Sequence, residues 1–475
     1  MADRRWGAAL ALALALGACS QVPAYHVPSA PAPVAFKEAG PWTAAQPGGS
    51  AGAWWTALGD PALDALEARI DGANPQYAAA LARRDEAAAQ LRVARADALP
   101  QVTTNGQGGY DRQSADRPLR SKSIPGPDDY GTNTLSGSLS YELDLWGRVR
   151  AEIASGRGNA AASADDAAAI RLSLEAELAD AWVMLRGLDA QSELLGRTID
   201  TYQRADDLTR ARFNGGIADG IDTGRSGSQL ADAKAQLADV QAARARTEHA
   251  IAALVGVAPA ELTIAPSVQP LALVVPDAGV PSALLQRRPD VAAAERRVFA
   301  ANADIGQAKA AAYPQVVLGG SGGTQATTFG GLFSAANAMW AFGPSVTFPL
   351  FDGGRINARI RQARARWAEE TADYRQTVLA AFQQVEDGLS DIHHIGDETA
   401  HERVAADQAA QTARLSMTRY EKGAASYLDV VVAQTQALSA ERLYLQDQTA
   451  RLQAGVGLVR ALGGGWHDPA VAAAR

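Results

Sequence analysis

LSGSLSYELDLWGR, residues 135–148, sets two kinds of sequence side by side. Leu135, Gly137, Leu139, Tyr141, Leu143 and Leu145 alternate with Ser136, Ser138, Ser140, Glu142 and Asp144. A period of two over eleven residues is the signature of a strand with one apolar and one polar face. After Gly147-Arg148 the chain turns alanine-rich and contains no proline as far as Phe213, which predicts one helix of roughly 65 residues. At 1.5 Å per residue such a helix is roughly 95–100 Å long, several times the usual globular length.

The rest of the chain is consistent with an elongated, helix-rich molecule. Its 475 residues carry 44 Lys plus Arg against 52 Asp plus Glu, a formal charge of -8, so there is no global basic signal for nucleic acid. Aromatics are only 6%, which suits helices packed through small side chains. Arg4 and Arg5 precede an apolar run from Trp6 to Leu16, too short to span a bilayer and laid out like a secretory signal over 1–18. Leu16-Gly17-Ala18-Cys19 follows, containing the only cysteine, and resembles a bacterial lipobox. That resemblance implies that Cys19 becomes the first mature residue and carries N-palmitoyl and S-diacylglycerol groups, with Ser20 next to it favouring outer-membrane sorting. Two or more acyl chains anchor a protein stably. Residues 19–53 are rich in Pro, Ala and Gly and read as an extended tether.

Two copies of one unit follow, 54–260 and 261–465, before a tail at 466–475. Ala98-Leu99-Pro100-Gln101-Val102 recurs as Ala312-Tyr313-Pro314-Gln315-Val316, 214 residues later. Gly147-Arg148, Arg212-Phe213, Gly216 and Asp222 recur as Gly354-Arg355, Arg419-Tyr420, Gly423 and Asp429, all at a spacing of 207. The seven-residue difference falls in the loop between two strands, where length varies freely. Each copy reads helix, strand, loop, strand, long helix, tight turn, returning helix.

Strands are predicted at 102–113 and 135–145 in the first copy and at 316–325 and 340–350 in the second, interrupted in the last by Pro344. About ten residues suffice for a tilted strand to cross a bilayer, although the same alternation also allows a water-soluble sandwich with one buried face. No apolar run past Cys19 reaches about 18 residues, so any crossing must be by β-barrel. Four strands cannot close a barrel, since about eight is the minimum, so two or more chains must share one. Leu178, Ala181, Leu185, Leu188, Ser192, Leu195, Ile199 and Tyr202 step by three and four, as do Val378, Phe382, Val385, Leu389 and Ile392, giving coiled-coil-like seams. Turns are expected at Asn214-Gly215-Gly216 and Lys422-Gly423.

With these residues in view, the chain resembles the TolC-like outer-membrane efflux channels, in particular their lipoprotein branch, the NodT or OprM-like proteins. The likeness rests on the lipobox, the two Pro-Gln motifs, Asp144-Leu145-Trp146-Gly147-Arg148, Phe351-Asp352-Gly353-Gly354-Arg355, and the run from Arg419 to Val430. It implies a mainly α fold with transmembrane β, in which a homotrimer shares a 12-stranded barrel continued by a periplasmic tunnel of coiled-coil helices. It also implies a passive exit duct in the outer membrane, joined by a periplasmic adaptor to an inner-membrane pump of the resistance-nodulation-division type. The implied gate uses Asp222, Tyr420, Tyr427, Leu428, Asp429 and Val432, and the adaptor meets the tip at Gly215, Gly216, Lys422 and Gly423. Asp429 matches one acidic ring of the family, while Ala425 and Val432 depart from its pattern. From position alone, Asp222 and Asp429 are equally well read as helix caps.

Enzymatic readings fail on inventory. His393, His394 and His401 lack a completing ligand set, Gly319–Gly323 lacks the Lys-Ser/Thr of a phosphate loop, and Glu142 with Asp144 reads as a charged lumen lining. No metal or other cofactor is expected. The competing classes are a lipid-anchored coiled-coil scaffold or adhesin and the exit channel of a type I secretion system.

Overall fold

The structure, a computed structural model, describes residues 20–31, 33–38, 52–114, 129–276 and 287–466. The signal segment, Cys19, residues 39–51 of the tether, the loop around Pro118, Pro125 and Pro127, and tail residues 467–475 lie outside the described residues. The chain forms two compact units, one of Met1–Pro28, Arg84–Ser163 and Ala294–Tyr374, the other of Ser29–Arg83, Ala164–Ala293 and Arg375–Arg475. We call them the sheet unit and the helical unit.

The element order is α1 (Pro61–Ala73), α2 (Pro75–Ala96), β1 (Gln101–Arg112), β2 (Asp129–Glu142), α3 (Arg148–Asn214), α4 (Gly220–Leu254), α5 (Pro289–Ala310), β3 (Gln315–Ala326), β4 (Ala338–Thr347), α6 (Arg355–Glu421) and α7 (Tyr427–Ala461). The duplication is visible in the lengths. Helices α2 and α5 both have 22 residues, α3 and α6 both 67, α4 and α7 both 35. Local chemistry sets the boundaries. Asp60 caps α1 by accepting from Ala62 N, with Pro61 at the first position, where its missing N–H costs nothing. Asn74 separates α1 from α2, its Oδ1 accepting from the Gln76 and Tyr77 amides at 2.8 and 3.0 Å.

In the sheet unit the four strands pair antiparallel in the order β1-β2-β3-β4. Leu139 lies opposite Val102 on one side and Gly320 on the other, and Leu318 lies between Tyr141 and Pro344. This register gathers Val102, Leu135, Leu139, Tyr141, Val316, Leu318, Trp340, Phe342 and Val346 on one face. The other face carries Thr103, Asn105, Ser136, Ser138, Ser321 and Ser345, with Thr103 and Ser138 hydroxyls 2.7 Å apart. The apolar face is bare: Trp340 is 83% exposed. Pro344 is accommodated because β4 is an edge strand of the chain.

Strand β2 begins six residues before the expected Leu135 and stops at Glu142 rather than Leu145. Its end is fixed by the next helix. Asp144 accepts from the Val149 and Arg150 amides at 3.1 and 2.9 Å, so it caps α3 and cannot continue the strand. Glu142 accepts two bonds from Arg148, both 2.9 Å, and one from Gln315 at 2.8 Å. The expected lumen-lining pair is therefore engaged in the strand-to-helix junction. In the second copy β4 ends at Thr347, and Phe348 and Leu350 lie beyond the paired strand.

The described part of the tether, residues 20–31 and 33–38, contains no helix or strand and is docked. Within the sheet unit Tyr25 donates to Glu295, packs edge-on against Phe299 at 5.1 Å, and Asn302 donates to Pro23 O at 2.9 Å. Within the helical unit the Lys37 and Glu38 amides donate to the Glu386 carboxylate at 2.8 and 2.9 Å, and Phe36 is buried.

Both predicted seams face inward: Leu178, Leu185, Leu195 and Tyr202 on α3 and Val378, Val385 and Ile392 on α6 are buried, while Ala181, Ser192 and Ile199 are half-buried. The main core of the helical unit joins Trp54, Leu58, Leu63 and Ile70 to Leu174, Leu178, Trp182 and Leu185, with Ile251 and Val456. Each such apolar side chain contributes roughly 1.5–3 kcal/mol on burial. Trp182 Nε1 donates to Asp60 at 2.9 Å, tying the α1 cap to the core. Buried Asp189 accepts from Arg186 at 3.1 Å, Arg244 at 2.6 Å and Ser267 N at 3.0 Å. Ion pairs this far from water hold only when hydrogen-bonded throughout.

Glu67 is among the buried polar groups of this unit that lack a hydrogen-bond partner. It is 3% exposed, and both its carboxylate oxygens lack a hydrogen-bond partner. Desolvation, then the neighbouring Glu175 and Asp64, pushes its pKa up to about 9 from 4.5. Its neighbour Glu175 is pushed up to about 7, mainly by burial and against the pull of Arg171. A raised carboxyl pKa means the native state binds the proton more tightly, so this contribution is present below the unfolded value and is lost as pH rises toward 9. Thermal midpoints measured from pH 5 to pH 9 should fall with pH in the native protein. Glu67→Gln should flatten that fall, and an unchanged slope in the variant would contradict the assignment.

Candidate functional site

The residues expected to form a gate sit at two turns of the helical unit, one closing each copy. Both turns have the same hydrogen bonds. Gly216 N donates to Phe213 O at 2.9 Å and Ile217 N to Arg212 O at 2.8 Å; Gly423 N donates to Tyr420 O at 2.9 Å and Ala424 N to Arg419 O at 2.8 Å. These are Schellman caps, which need a left-handed residue just past the helix. Gly216 and Gly423 supply it at φ 74 and 76. Nothing lies within 4 Å of a Cβ built on either glycine, so conformation rather than crowding selects the residue.

The returning helices are capped differently. Asp219 caps α4, accepting from the Ile221 and Asp222 amides at 2.7 and 3.1 Å. Asp222 thus occupies the first turn, half-buried, with Arg225 at 3.9 Å. Ser426 caps α7 in a capping box. Its Oγ accepts from Asp429 N at 3.3 Å, while Asp429 Oδ2 accepts from Ser426 N at 3.1 Å and Ser426 Oγ at 2.9 Å. Asp429 is exposed and takes part in the cap as the partner of Ser426, whereas the Asp222 side chain is not the cap of α4.

Tyr420 and Tyr427 are buried together, ring centroids 5.2 Å apart, in a small core with Ala205 and Val430. Tyr420 Oη is 3.3 Å from Thr209 Oγ1. Burial, then Tyr420, Asp206, Tyr202 and Asp222, hold the Tyr427 hydroxyl well above the usual tyrosine range, so it stays a neutral donor. Leu428 and Val432, one turn apart, are 45% and 61% exposed and flank Asp429. Gly215, Gly216, Lys422 and Gly423 are all exposed.

Arg212 does most to tie the two turns together. Its Nη1 donates to Tyr420 O at 2.9 Å and its Nη2 to Glu421 O at 2.8 Å, while its guanidinium lies 4.4 Å from the Tyr420 ring centroid. It therefore satisfies orphan carbonyls of α6, places a cation at the negative end of that helix, and packs on an aromatic face. Beside it, buried Asp206 accepts from Ser226 and, at 2.6 Å, from Arg210. Burial raises the Asp206 pKa, but these two donors outweigh it and leave the carboxyl below its usual value. Arg212 was visible in the sequence as a landmark of the repeat; its role was not, because the partner carbonyls lie 208 and 209 residues away.

Comparison with known proteins bears on this arrangement. The family described as outer membrane efflux protein matches residues 68–257 and 280–464. Outer membrane protein OprJ of Pseudomonas aeruginosa is 33% identical over 97% of this chain and 96% of its own length. The toluene efflux pump outer membrane protein TtgC of Pseudomonas putida is 30% identical over 96% of this chain and 94% of its own. Among solved structures, the outer-membrane channel OprN superposes with a TM-score of 0.87 at 29% identity, covering 94% of this chain and 99% of that one.

The caps make a local prediction. Ser426→Ala should cost about 1 kcal/mol, and Gly423→Ala, which forces a Cβ into the left-handed region, about 1–2 kcal/mol. Amide hydrogen exchange over residues 420–430 should quicken by about fivefold or more in each variant, since 1.4 kcal/mol is a factor of ten. Exchange around Leu178–Leu185 should not change; equal acceleration there would show global rather than local loosening.

Proposed function

The chain belongs to the outer membrane efflux protein family, and from that premise we propose that three copies close a 12-stranded barrel around a central duct. It is the outer-membrane channel component of an efflux system. The observation that carries the trimer reading is the sheet itself: one apolar face, one polar face, and two edges without partners among the described residues. Eight strands from two copies would leave an interior just filled by side chains, whereas twelve leave a lumen. The small residues of the polar face, such as Ser136, Ser138 and Ser321, favour a wet interior.

The duct is passive, and an inner-membrane pump of the resistance-nodulation-division type supplies the energy through a periplasmic adaptor that docks at the exposed turns holding Gly215, Gly216, Lys422 and Gly423. Arg212 and Tyr420 hold those turns together and so favour a closed tip. Leu428 and Val432 supply an apolar constriction, and the Asp429 carboxylates, brought together by threefold symmetry, favour cations and repel one another when the tip tightens. Tyr427 anchors the helix that carries all three, and Asp222 adds charge beside it. Lipidation of Cys19 fixes the chain to a leaflet, and the docking of Pro23 within the sheet unit and of Lys37 and Glu38 within the helical unit supports a tether that is held rather than free. The similarity to the toluene efflux component TtgC supports small organic solutes as cargo.

In planar bilayers the native protein should conduct weakly. The double variant Arg212→Ala, Tyr420→Phe should conduct several-fold more, and Asp429→Asn should reduce cation preference. Absence of conductance in all three proteins would favour the scaffold reading. Radiolabelled palmitate should enter the wild-type protein but not Cys19→Ala. Deletion of the gene should lower the tolerated concentration of apolar organic compounds.

A further inference from the structure

We propose that the first turn of α6, with Leu350 and Phe351 just before it, is a docking site for the headgroups of anionic phospholipids at the periplasmic end of the sheet. This inference rests on reading the sheet as a membrane wall. The first twelve residues of α6 contain Arg355, Arg359, Arg361, Arg364 and Arg366, all exposed, and the first turn contains no acidic residue. Cations at the N-terminus of a helix face its positive dipole end, and five of them also repel one another. Asp352, just before the helix, accepts from the Gly354 and Ile356 amides at 2.8 and 2.6 Å and offsets part of this beside Arg355. Arg366 lies 3.9 Å from Glu370, while Arg359, Arg361 and Arg364 enter no ion pair among the described residues.

The first copy shows what the alternative looks like. At the equivalent start of α3, Arg148 pairs with Glu142 at 2.9 Å and Glu152 at 3.0 Å, and Arg150 with Asp144 at 3.1 Å. One copy of the duplication pairs its leading arginines internally; in the other, Asp352 just before the helix acts on Arg355, while Arg359, Arg361 and Arg364 stay unpaired among the described residues. The open set directly follows the lipid-facing run of β4. Leu350 is 88% and Phe351 93% exposed, two bare apolar side chains just past the paired strand.

Depth separates the arginines by role. The headgroup layer adds roughly 5–8 Å beyond the hydrocarbon on each side. Arg355 and Arg359 are separated by about 6 Å of helix rise and share one helix face, so both reach that layer. Arg364 and Arg366 lie about 13–17 Å from Arg355 along the axis and act through their field. Ile356, Ile360 and Ala363 form the half-buried stripe that turns Arg355 and Arg359 outward. A guanidinium fork matches a phosphodiester with two parallel donors, and a negatively charged headgroup also answers the excess positive charge.

The test uses the full-length protein, first shown to float with phosphatidylcholine vesicles, then exposed in detergent to equal amounts of phosphatidylglycerol and phosphatidylcholine. Native mass spectrometry reads the ratio retained. The wild-type protein should retain phosphatidylglycerol by about fivefold over phosphatidylcholine. Arg355→Gln with Arg359→Gln should bring the ratio close to one, and Arg355→Lys with Arg359→Lys should keep most of it. A tenfold excess of inorganic phosphate should leave the wild-type ratio unchanged. Should the glutamine variant fail to assemble, the wild-type preference must still fall as sodium chloride is raised from 50 to 500 mM. An unaltered ratio in the glutamine variant, no preference in the wild type, or loss of preference to phosphate alone would overturn this inference while leaving the channel reading intact. Failure of the wild type to float with vesicles would overturn both.

Discussion

Every second backbone N–H and C=O along β1 points away from β2, and the same holds along the free side of β4. In water such an edge is a liability; in hydrocarbon each unpaired group costs several kcal/mol. Two edges of 12 and 10 residues would together cost on the order of tens of kcal/mol, beyond the roughly 5–15 kcal/mol that stabilises a typical domain. No single copy can therefore hold its sheet in a membrane. Because the strands alternate in direction and number four, β4 of one copy runs antiparallel to β1 of the next, and copies join without a change of pattern. The apolar face, the polar face and the small side chains of the lumen all follow from that closure.

The duplication reproduces backbone more faithfully than side-chain roles. Helix lengths and the Schellman caps agree copy for copy, since they depend on proline placement, alanine content and one left-handed glycine. The residues attached to that frame have diverged. Arg212 reaches across to the carbonyls of Tyr420 and Glu421, whereas its counterpart Arg419 donates at 3.4 Å to Ala424 O within its own turn. Asp219 caps one returning helix and Ser426 the other. An assembly that repeats its halves gains distinct surfaces only through such differences.

Much of this was legible in the sequence, and the failures have physical causes. The strands at Val102, Leu135, Val316 and Trp340 were visible because alternation survives wherever one face is apolar. The first residues of β2, from Asp129 to Thr134, were missed because they are polar on both faces apart from Tyr130, so the alternation is weak there. Asp144 continues the alternation in sequence yet caps a helix, because a carboxylate just before a helix finds free amides. The composition of residues 20–38 predicts extension but cannot reveal docking, which depends on Glu386 and Asn302 several hundred residues away. Glu67 reads as a solvated helix residue; only packing reveals it as buried and without partners.

The identical 67-residue span of α3 and α6 has an evolutionary corollary. Each helix follows a strand of its own copy directly in sequence and ends at the turns where Arg212 clasps Tyr420, so each is one leg of a duplicated pair. One added residue in a single leg would twist its seam by about 100° and shift its foot by about 1.5 Å, breaking the clasp. Insertions and deletions should thus accumulate in the loops that join strands, while the legs change length only in concert and by whole repeats of the seam.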